Sequence, residues 1–337
     1  MSDLSPTSVD VLVVGAGPVG LSAANLLAMD GVDVLVIDAL PELIDYPRGV
    51  GIDDESLRSL QTMGLVEQAL PFTTPQHVMR LVNGKGRLIA EIAPATQEFG
   101  WPRRNAFIQP AVDRVLLDGL ARFPHAAVRF GHRAEALSPD PDGVSVQVSG
   151  PEGPMTIRCR WLVGADGGRS VVRKATGTSF DGRSPATRWL VIDVRNDPLG
   201  TPNIYLGCDP RRPYVSLGLP QGIRRFEFML FDGESDDRAT SPEFLDQLLA
   251  PHVPRPRSLD LIRARVYTHH SRVAGAFRHG PVLLAGDAAH LMPVWQGQGW
   301  NSGMRDATNL AWKLSAVVRG LASPDLLDTY DSERRDH

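Results

Sequence analysis

Cysteine is nearly absent: among 337 residues only Cys159 and Cys208 occur. They form no CxxC pair and no zinc-ligand spacing. A disulfide framework and a structural zinc are thereby excluded, and a reducing cytoplasm is the expected compartment. Lysine is almost as scarce, with Lys85, Lys174 and Lys313 alone, so arginine carries the positive charge. Net charge is −4, which gives no reason to expect nucleic acid or an anionic membrane as partner. No apolar run reaches the roughly 18 residues that a membrane span needs. The opening MSDLSPTSVD lacks a charged segment followed by an apolar one, so no signal peptide is expected. HExxH, GxSxG and P-loop patterns are missing, which argues against the hydrolytic classes built on them. Neither an internal repeat nor a low-complexity linker interrupts the chain.

What is present suits a globular α/β protein: 42% hydrophobic and 22% charged residues. Val9 to Val14 is short, apolar and β-branched, the pattern of a buried parallel strand. A glycine turn follows, then a predicted helix from Pro18 to Asp30, with proline in its first turn and Gly31 just past its end. Val32 to Asp38 is a second strand, completing a β-α-β unit. Further along, hairpins are predicted around Gly84-Lys85-Gly86 and around Pro151-Glu152-Gly153. Gln109 to Phe123 is a predicted helix. Arg188–Val194, Ile204–Cys208, Tyr214–Leu219 and Arg225–Phe231 read as strands of an antiparallel sheet. Ser241-Pro242 opens a short helix, Val282–Ala285 is again a buried strand, and a helix with one apolar face runs from Gly303 to Arg319. Strand-helix segments at both ends with a sheet between them imply a Rossmann-like α/β domain with a parallel sheet, assembled from residues 1–70, 105–180 and 272–337. An antiparallel-sheet domain, residues 71–104 and 181–271, is inserted into it.

Gly15-Ala16-Gly17-Pro18-Val19-Gly20 is a GxGxxG between strand and helix, and Asp38 ends the next strand. That context is the dinucleotide fingerprint: Gly15 for the tight turn, Gly17 for close approach of a pyrophosphate, Gly20 for helix-strand packing, Asp38 for a ribose. The helix N-terminus offers free N–H groups to phosphate. A second motif, GPVLLAGDAAH, ends a buried strand in Gly286-Asp287 and leads to the glycine-rich Gly297-Gln298-Gly299-Trp300-Asn301. Asp287 at a strand end suits a ribityl hydroxyl. The amides of the following helix would meet the pyrimidine edge of an isoalloxazine, where negative charge gathers on reduction. A nicotinamide cofactor needs no such second site, so the expected bound cofactor is FAD. No second GxGxxG exists, so any NAD(P)H visits transiently.

Other features carry less. A strand running into Asp166-Gly167 reads, by itself, as a turn with a helix cap. Asp53-Asp54-Glu55 reads as a solvated first helical turn and Asp236-Asp237 as a loop. His269-His270 lacks a third ligand at metal spacing, so no metal is expected. No catalytic base is identifiable from the residues.

The trio of motifs at Gly15, Asp166 and Asp287 resembles the class A FAD-dependent aromatic hydroxylases. The runs Leu43–Leu57, Glu98–Pro110, Ile204–Ser216, Arg224–Met229 and Leu283–Leu314 are most similar to the branch that acts on 3-(3-hydroxyphenyl)propionate and 3-hydroxycinnamate. The resemblance extends from about Val9 to His337. It implies a bound FAD, NADH and O2 as co-substrates, and hydroxylation of a small phenolic carboxylate ortho to its hydroxyl. By position it assigns Gly15, Ala16, Gly17, Gly20 and Asp38 to the ADP portion, and Arg48 and Gln109 to the flavin or its phosphates. Asp166 falls to both nucleotides, Gly286-Asp287 to the ribityl chain, and Gly297, Gly299 and Asn301 to the isoalloxazine loop. The backbone near Pro293-Val294 is implied to meet the substrate hydroxyl.

The family's chain continues past the equivalent of Glu333–His337 into a C-terminal segment, where this sequence ends. A non-catalytic FAD-binding fragment and a phenol hydroxylase of different substrate therefore stay open, as does a homodimer. A flavin halogenase would want a WxWxIP stretch, which does not occur. A carboxylate entering an apolar cavity must be paired, and the expected partner is an arginine of the inserted sheet: Arg188, Arg195, Arg211, Arg212, Arg224 or Arg225. Of the adjacent pair Arg224 and Arg225, strand alternation lets at most one point inward.

Overall fold

The computed structural model describes residues 7–293 and 297–336. Thr7–Val14 forms a strand whose Val11, Leu12 and Val13 are wholly buried. Burial on both faces requires a partner on each edge and cover above and below. The partners are Val34–Ile37 on one side and Gly153–Gly164 on the other, both parallel. The eight-stranded sheet continues outward to Ala126–Arg129 beyond the first and to Val282–Leu284 and Arg278–His279 beyond the second. Gly153–Gly164 is shared along its length. Its early residues pair antiparallel with Gly143–Gly150, and its last three pair parallel with Val282–Leu284 on the same edge.

The helix Pro18–Met29 leaves the first strand through the glycine turn and packs so closely that two glycines have no substitute. Gly15 has φ +113°, and a Cβ there would lie 2.3 Å from the Ala165 carbonyl oxygen. A Cβ on Gly20 would lie 1.9 Å from the carbonyl oxygen of Gly15. The first strand thus divides neighbours reached through opposite ends of the chain, and the crevice at its carboxyl end is where such sheets bind ligands. The long helix Gln298–Val318 lies against Pro18–Met29, with Ser22 donating to the Met304 sulfur at 3.1 Å. Among the described residues no helix is long and apolar enough to cross a membrane.

The second sheet has seven strands in the order Asp260–Thr268, Arg188–Arg195, Ile223–Leu230, Tyr214–Leu219, Ile204–Cys208, Met79–Asn83, Leu88–Ile92. It is not antiparallel throughout: Ile204–Cys208 and Met79–Asn83 run parallel, because the hairpin arrives from a distant part of the chain rather than through a turn. Asp260–Thr268 is a further strand, in which Ile262, Ala264 and Val266 alternate with Arg263 and Arg265. Helix Pro242–Leu249, capped by Ser241, covers one face with Phe244, Leu245 and Leu248 against Leu190, Ile192 and Phe228.

Three local expectations are corrected. The long helix starts at Gln298, not near Gly303; Gly297, at φ +68°, turns the chain immediately before it. Glycine's poor helix propensity masks this start. Asp53 and Asp54 are buried rather than solvated, Asp53 capping the helix Asp54–Thr62 by accepting from Ser56 N–H at 2.9 Å. Asp236 and Asp237 form the first turn of a short helix, Asp236–Ala239, capped by Ser235.

Because the Gly20 contact is with backbone, no side chain can yield to it. Gly20→Ala should lower stability by about 1–3 kcal/mol or more, measured as a fall in the urea midpoint at unchanged slope. An unchanged midpoint would disprove the close packing of helix on turn.

Candidate functional site

The crevice is built from two helix termini that lack side-chain caps. Gly17 caps Pro18–Met29 without a side-chain hydrogen bond, and no atom lies within 4 Å of where its Cβ would stand. Free amide donors beside open space make an anion site. Asp38 braces the turn: Ala16 N–H donates to its Oδ2 at 2.7 Å and Leu40 N–H to its Oδ1 at 2.8 Å. A carboxylate oxygen keeps a second lone pair, so these contacts do not preclude a sugar hydroxyl. Gly297 caps Gln298–Val318, again with no side-chain bond, and Gly299 in the first turn is likewise open.

Val19 joins the two termini. A Cβ on Gly286 would lie 2.8 Å from the Val19 side chain, and one on Gly303 would lie 2.4 Å from it. The Gly286-Asp287 turn is held from below by Asp306, which is fully buried. Asp306 Oδ2 accepts from Gly286 N–H at 2.9 Å and meets His290 Nε2 at 2.6 Å; Oδ1 accepts from Arg334 Nε at 2.8 Å. Burial opposes charge on His290, yet Asp306 outweighs it and raises the imidazole above its ordinary value. Asp287 therefore projects from a fixed turn, part-exposed, with Arg48 3.8 Å away.

Arg48 sits on a strap tied from both sides. Gln109 Oε1 accepts from Arg48 N–H at 3.0 Å and from Gly49 N–H at 2.6 Å. From the seven-stranded sheet, Arg225 Nη2 donates to the Pro47 carbonyl at 2.6 Å, and Arg263 donates to the same oxygen. Both arginines are neutralised by the wholly buried Asp193, at 2.7 and 2.6 Å. Asn301 spends its amide on structure: Nδ2 donates to the carbonyls of Gly51 and Gly297, and Oδ1 accepts from Asp53 N–H and Ser56 Oγ–H. Asp166 likewise accepts from Ser170 Oγ, Val171 N–H and Val172 N–H, capping the helix Val171–Thr176 beside Gly15. The geometry thus gathers Gly15, Ala16, Gly17 and Asp38 at one end of a crevice and Arg48, Gln109, Asp287, Gly297 and Gly299 at the other. Val294 lies outside the described residues.

Beyond Gly297, Gln298 and Asn301 opens a cavity of about 290 Å³ against the bare face of the seven-stranded sheet. Met79, Leu81, Ile204, Leu206, Val215 and Leu217 make its apolar wall, and Val50 and Ile52 carry it toward the strap. Polar side chains share the lining, among them Asp53, His77, Asn105, Glu227, Tyr267 and His269. Tyr267 donates to Glu227 Oε2 at 3.0 Å. Burial, ahead of the compensating Arg225 charge, raises the Glu227 carboxyl; burial and then the Glu227 charge raise the Tyr267 phenol. His269 packs edge-on to Trp189, and burial lowers its imidazole. His77 is lowered further, to about 4, by burial first and then by Arg104.

None of the six sheet arginines expected to face a substrate lines this cavity. Arg188, Arg195, Arg211 and Arg212 pair with Asp236, Asp260, Asp209 and Glu234. Arg224 and Arg225 are both buried, on opposite faces, against Asp197 and Asp193. The cavity arginines are instead Arg103 and Arg104, just ahead of the strand Asn105–Phe107. Alternation assigns faces within a strand but does not say which carboxylate a neighbouring strand supplies. Glu227, Tyr267 and His269 were hidden for the same reason; only the His269-His270 pair stood out, and among the described residues no metal-binding group of side chains exists.

Residues 8–337 match the family described as FAD binding domain. A 3-(3-hydroxy-phenyl)propionate/3-hydroxycinnamic acid hydroxylase of Mycolicibacterium smegmatis is 59% identical over 99% of this chain, which covers 59% of that protein. The protein of the same name from Shigella sonnei is 55% identical over 99% of this chain and 61% of its own length. The chain thus spans about six-tenths of these curated relatives. Among solved structures, p-nitrophenol 4-monooxygenase from Pseudomonas putida superposes with a TM-score of 0.91 at 32% identity, covering 98% of this chain and 85% of that one. An aklavinone-11 hydroxylase crystallised with FAD and aklavinone gives 0.88 at 30% identity, covering 100% and 67%.

Under the strap, Asp113 is fully buried and accepts from Gln109 Nε2 at 3.0 Å, while its Oδ1 has no partner. Burial pushes its carboxyl up to about 7, against the opposing pull of Gln109, Trp300 and Arg48. A carboxyl raised on folding costs nothing below its unfolded value near 4, and an increasing amount as pH climbs toward 7. Unfolding free energy should therefore fall by roughly 2–4 kcal/mol between pH 4 and 8 through this group. Asp113→Asn should remove that slope. Parallel pH–stability curves for the two proteins would show that Asp113 is not desolvated.

Proposed function

Since the chain belongs to the FAD binding domain family, we propose that it is a flavin-dependent ring hydroxylase acting on a small phenolic carboxylate, 3-(3-hydroxyphenyl)propionate or 3-hydroxycinnamate, in the cytoplasm. The observation that carries this reading is the continuity of crevice and cavity. The uncapped terminus at Gly297 closes the dinucleotide crevice and also floors the apolar chamber. The relatives named for that activity support it. In this reading residues 1–70, 105–180 and 272–337 hold FAD, and 71–104 and 181–271 enclose the substrate.

The donor set fits FAD. The amides at Gly17 suit a pyrophosphate, Asp38 a ribose, Asp287 a ribityl hydroxyl, and the amides at Gly297–Gly299 the electron-rich edge of the ring system. When bound, FAD accepts hydride equivalents from NADH and activates O2 for transfer to the ring. The protein supplies position and dryness. The apolar wall from Met79 to Leu217 excludes water, which would otherwise divert the oxygen chemistry to peroxide. The phenol must lose its proton to be a good nucleophile. The titratable groups around it include Asp53, beside Arg305 at 2.5 Å, Glu227, which accepts from Tyr267, and His77, lowered to about 4. His269, neutral and beside Tyr267, is the group we assign to accept that proton.

Four measurements test this. The protein should retain FAD and not FMN. Asp287→Ala should weaken FAD retention by roughly 1–3 kcal/mol, or about 5- to 150-fold; undiminished affinity would remove Asp287 from the site. NADH oxidation should accelerate when a hydroxyphenylpropionate is added and should yield a catechol. His269→Gln should lower the rate most at acidic pH, where free phenolate is scarcest. A pH profile unchanged in shape would reassign the base.

A further inference from the structure

We propose that Arg104 is the specificity residue of this cavity and receives the substrate carboxylate through its guanidinium. The inference rests on the reading above, which names a phenolic acid but no partner for its charge.

Arg104 differs from the arginines of the seven-stranded sheet in its partners. The arginines buried at that sheet are paired: Asp193 serves Arg225 and Arg263, Asp197 serves Arg224, and Glu234 serves Arg212; Arg265 turns to the Tyr46 hydroxyl and does not line the cavity. Arg104 is part-buried and lines the apolar chamber, and among the described residues it has no carboxylate at ion-pair distance. Burial alone acts on its guanidinium, lowering it from the ordinary value with no compensating anion. A partly desolvated cation without a counter-charge is unfavourable, so such a residue marks where an anion enters. Arg103, its neighbour, is half-exposed and 3.7 Å from Glu98, at the mouth rather than in the wall.

The surroundings define the anion. His77 lies in the same wall: its N–H donates to the Arg104 carbonyl at 2.8 Å, and its imidazole is held neutral. Arg104 is therefore the one cationic head in that part of the wall, which matches a monoanion. Met79, Leu81, Ile204 and Leu206 give the wall a hydrocarbon stretch that suits an aryl-alkyl body rather than a hydrated phosphate. A planar fork binding a carboxylate through two N–H donors also fixes the orientation of the attached chain.

The test is titration calorimetry on the flavin-loaded protein with 3-(3-hydroxyphenyl)propionate and with the uncharged 3-propylphenol, alongside KM and kcat for both. Arg104→Met should weaken binding of the acid about 10- to 100-fold, while the neutral phenol changes by less than about twofold. KM should rise for the acid with kcat little altered. Arg104→Lys should recover part of the acid affinity, because it restores the charge but not the fork. Equal losses for acid and neutral phenol would show a merely structural role, and an unchanged acid affinity would place the carboxylate elsewhere; either overturns the assignment while leaving the hydroxylase reading intact. If the unaltered protein binds neither phenol, that reading fails first and this one with it.

Discussion

A single wholly buried carboxylate, Asp193, sets the relation between the two sheets. It neutralises Arg225 and Arg263 from the strands on either side of its own, and both arginines then reach past it to the Pro47 carbonyl. Replacing such a triad with hydrocarbon often leaves stability unchanged, so its worth lies in geometry. Hydrocarbon cannot grip a carbonyl. Without that grip, the strap carrying Arg48 and Val50 would lose its ties to the sheet at Pro47, and the wall between cavity and crevice would loosen. The sheet thus does more than enclose a substrate: it fixes one edge of the cofactor crevice.

The dinucleotide unit was legible because its determinants are local. Gly15, Gly17 and Gly20 act within six positions, and the close contacts they permit involve backbone atoms of the same segment or of Ala165. The Gly286-Asp287 turn was legible as a motif, but its support was not. Asp306 and Arg334 are ordinary helix residues until the fold brings them beneath it. Most strands were legible, and their neighbours were not. Alternation identifies Ile204–Cys208 and Met79–Asn83 as strands, yet contains nothing about their parallel pairing.

The arginines show the same limit most plainly. Arg224 and Arg225 look equivalent in sequence, and alternation rightly sends them to opposite faces. Which of them meets a substrate depends on Asp197 and Asp193, carboxylates that the fold delivers to both. The cavity arginine without a carboxylate among the described residues, Arg104, sits in an irregular segment where no periodicity could single it out. Pairing is a property of the tertiary structure, so a candidate anion site emerges only after the internal ion pairs have been subtracted.

The parallel join between Met79–Asn83 and Ile204–Cys208 has a consequence for how the molecule is made. Arg80 and Tyr205, which meet across it, are 125 residues apart. Closing so large a loop carries an entropic cost before any contact repays it, and non-local pairings of this kind form late. On a ribosome, the hairpin ending at Ile92 emerges long before the strand it will join. Its outer strand carries Leu88, Ile89 and Ile92, which remain exposed even in the finished fold. During synthesis the future cavity wall is therefore a naked apolar edge waiting for its partner, the kind of surface on which chains misassociate. The chamber that must stay dry in the mature protein is the part of the chain that stays wet longest while it is being built.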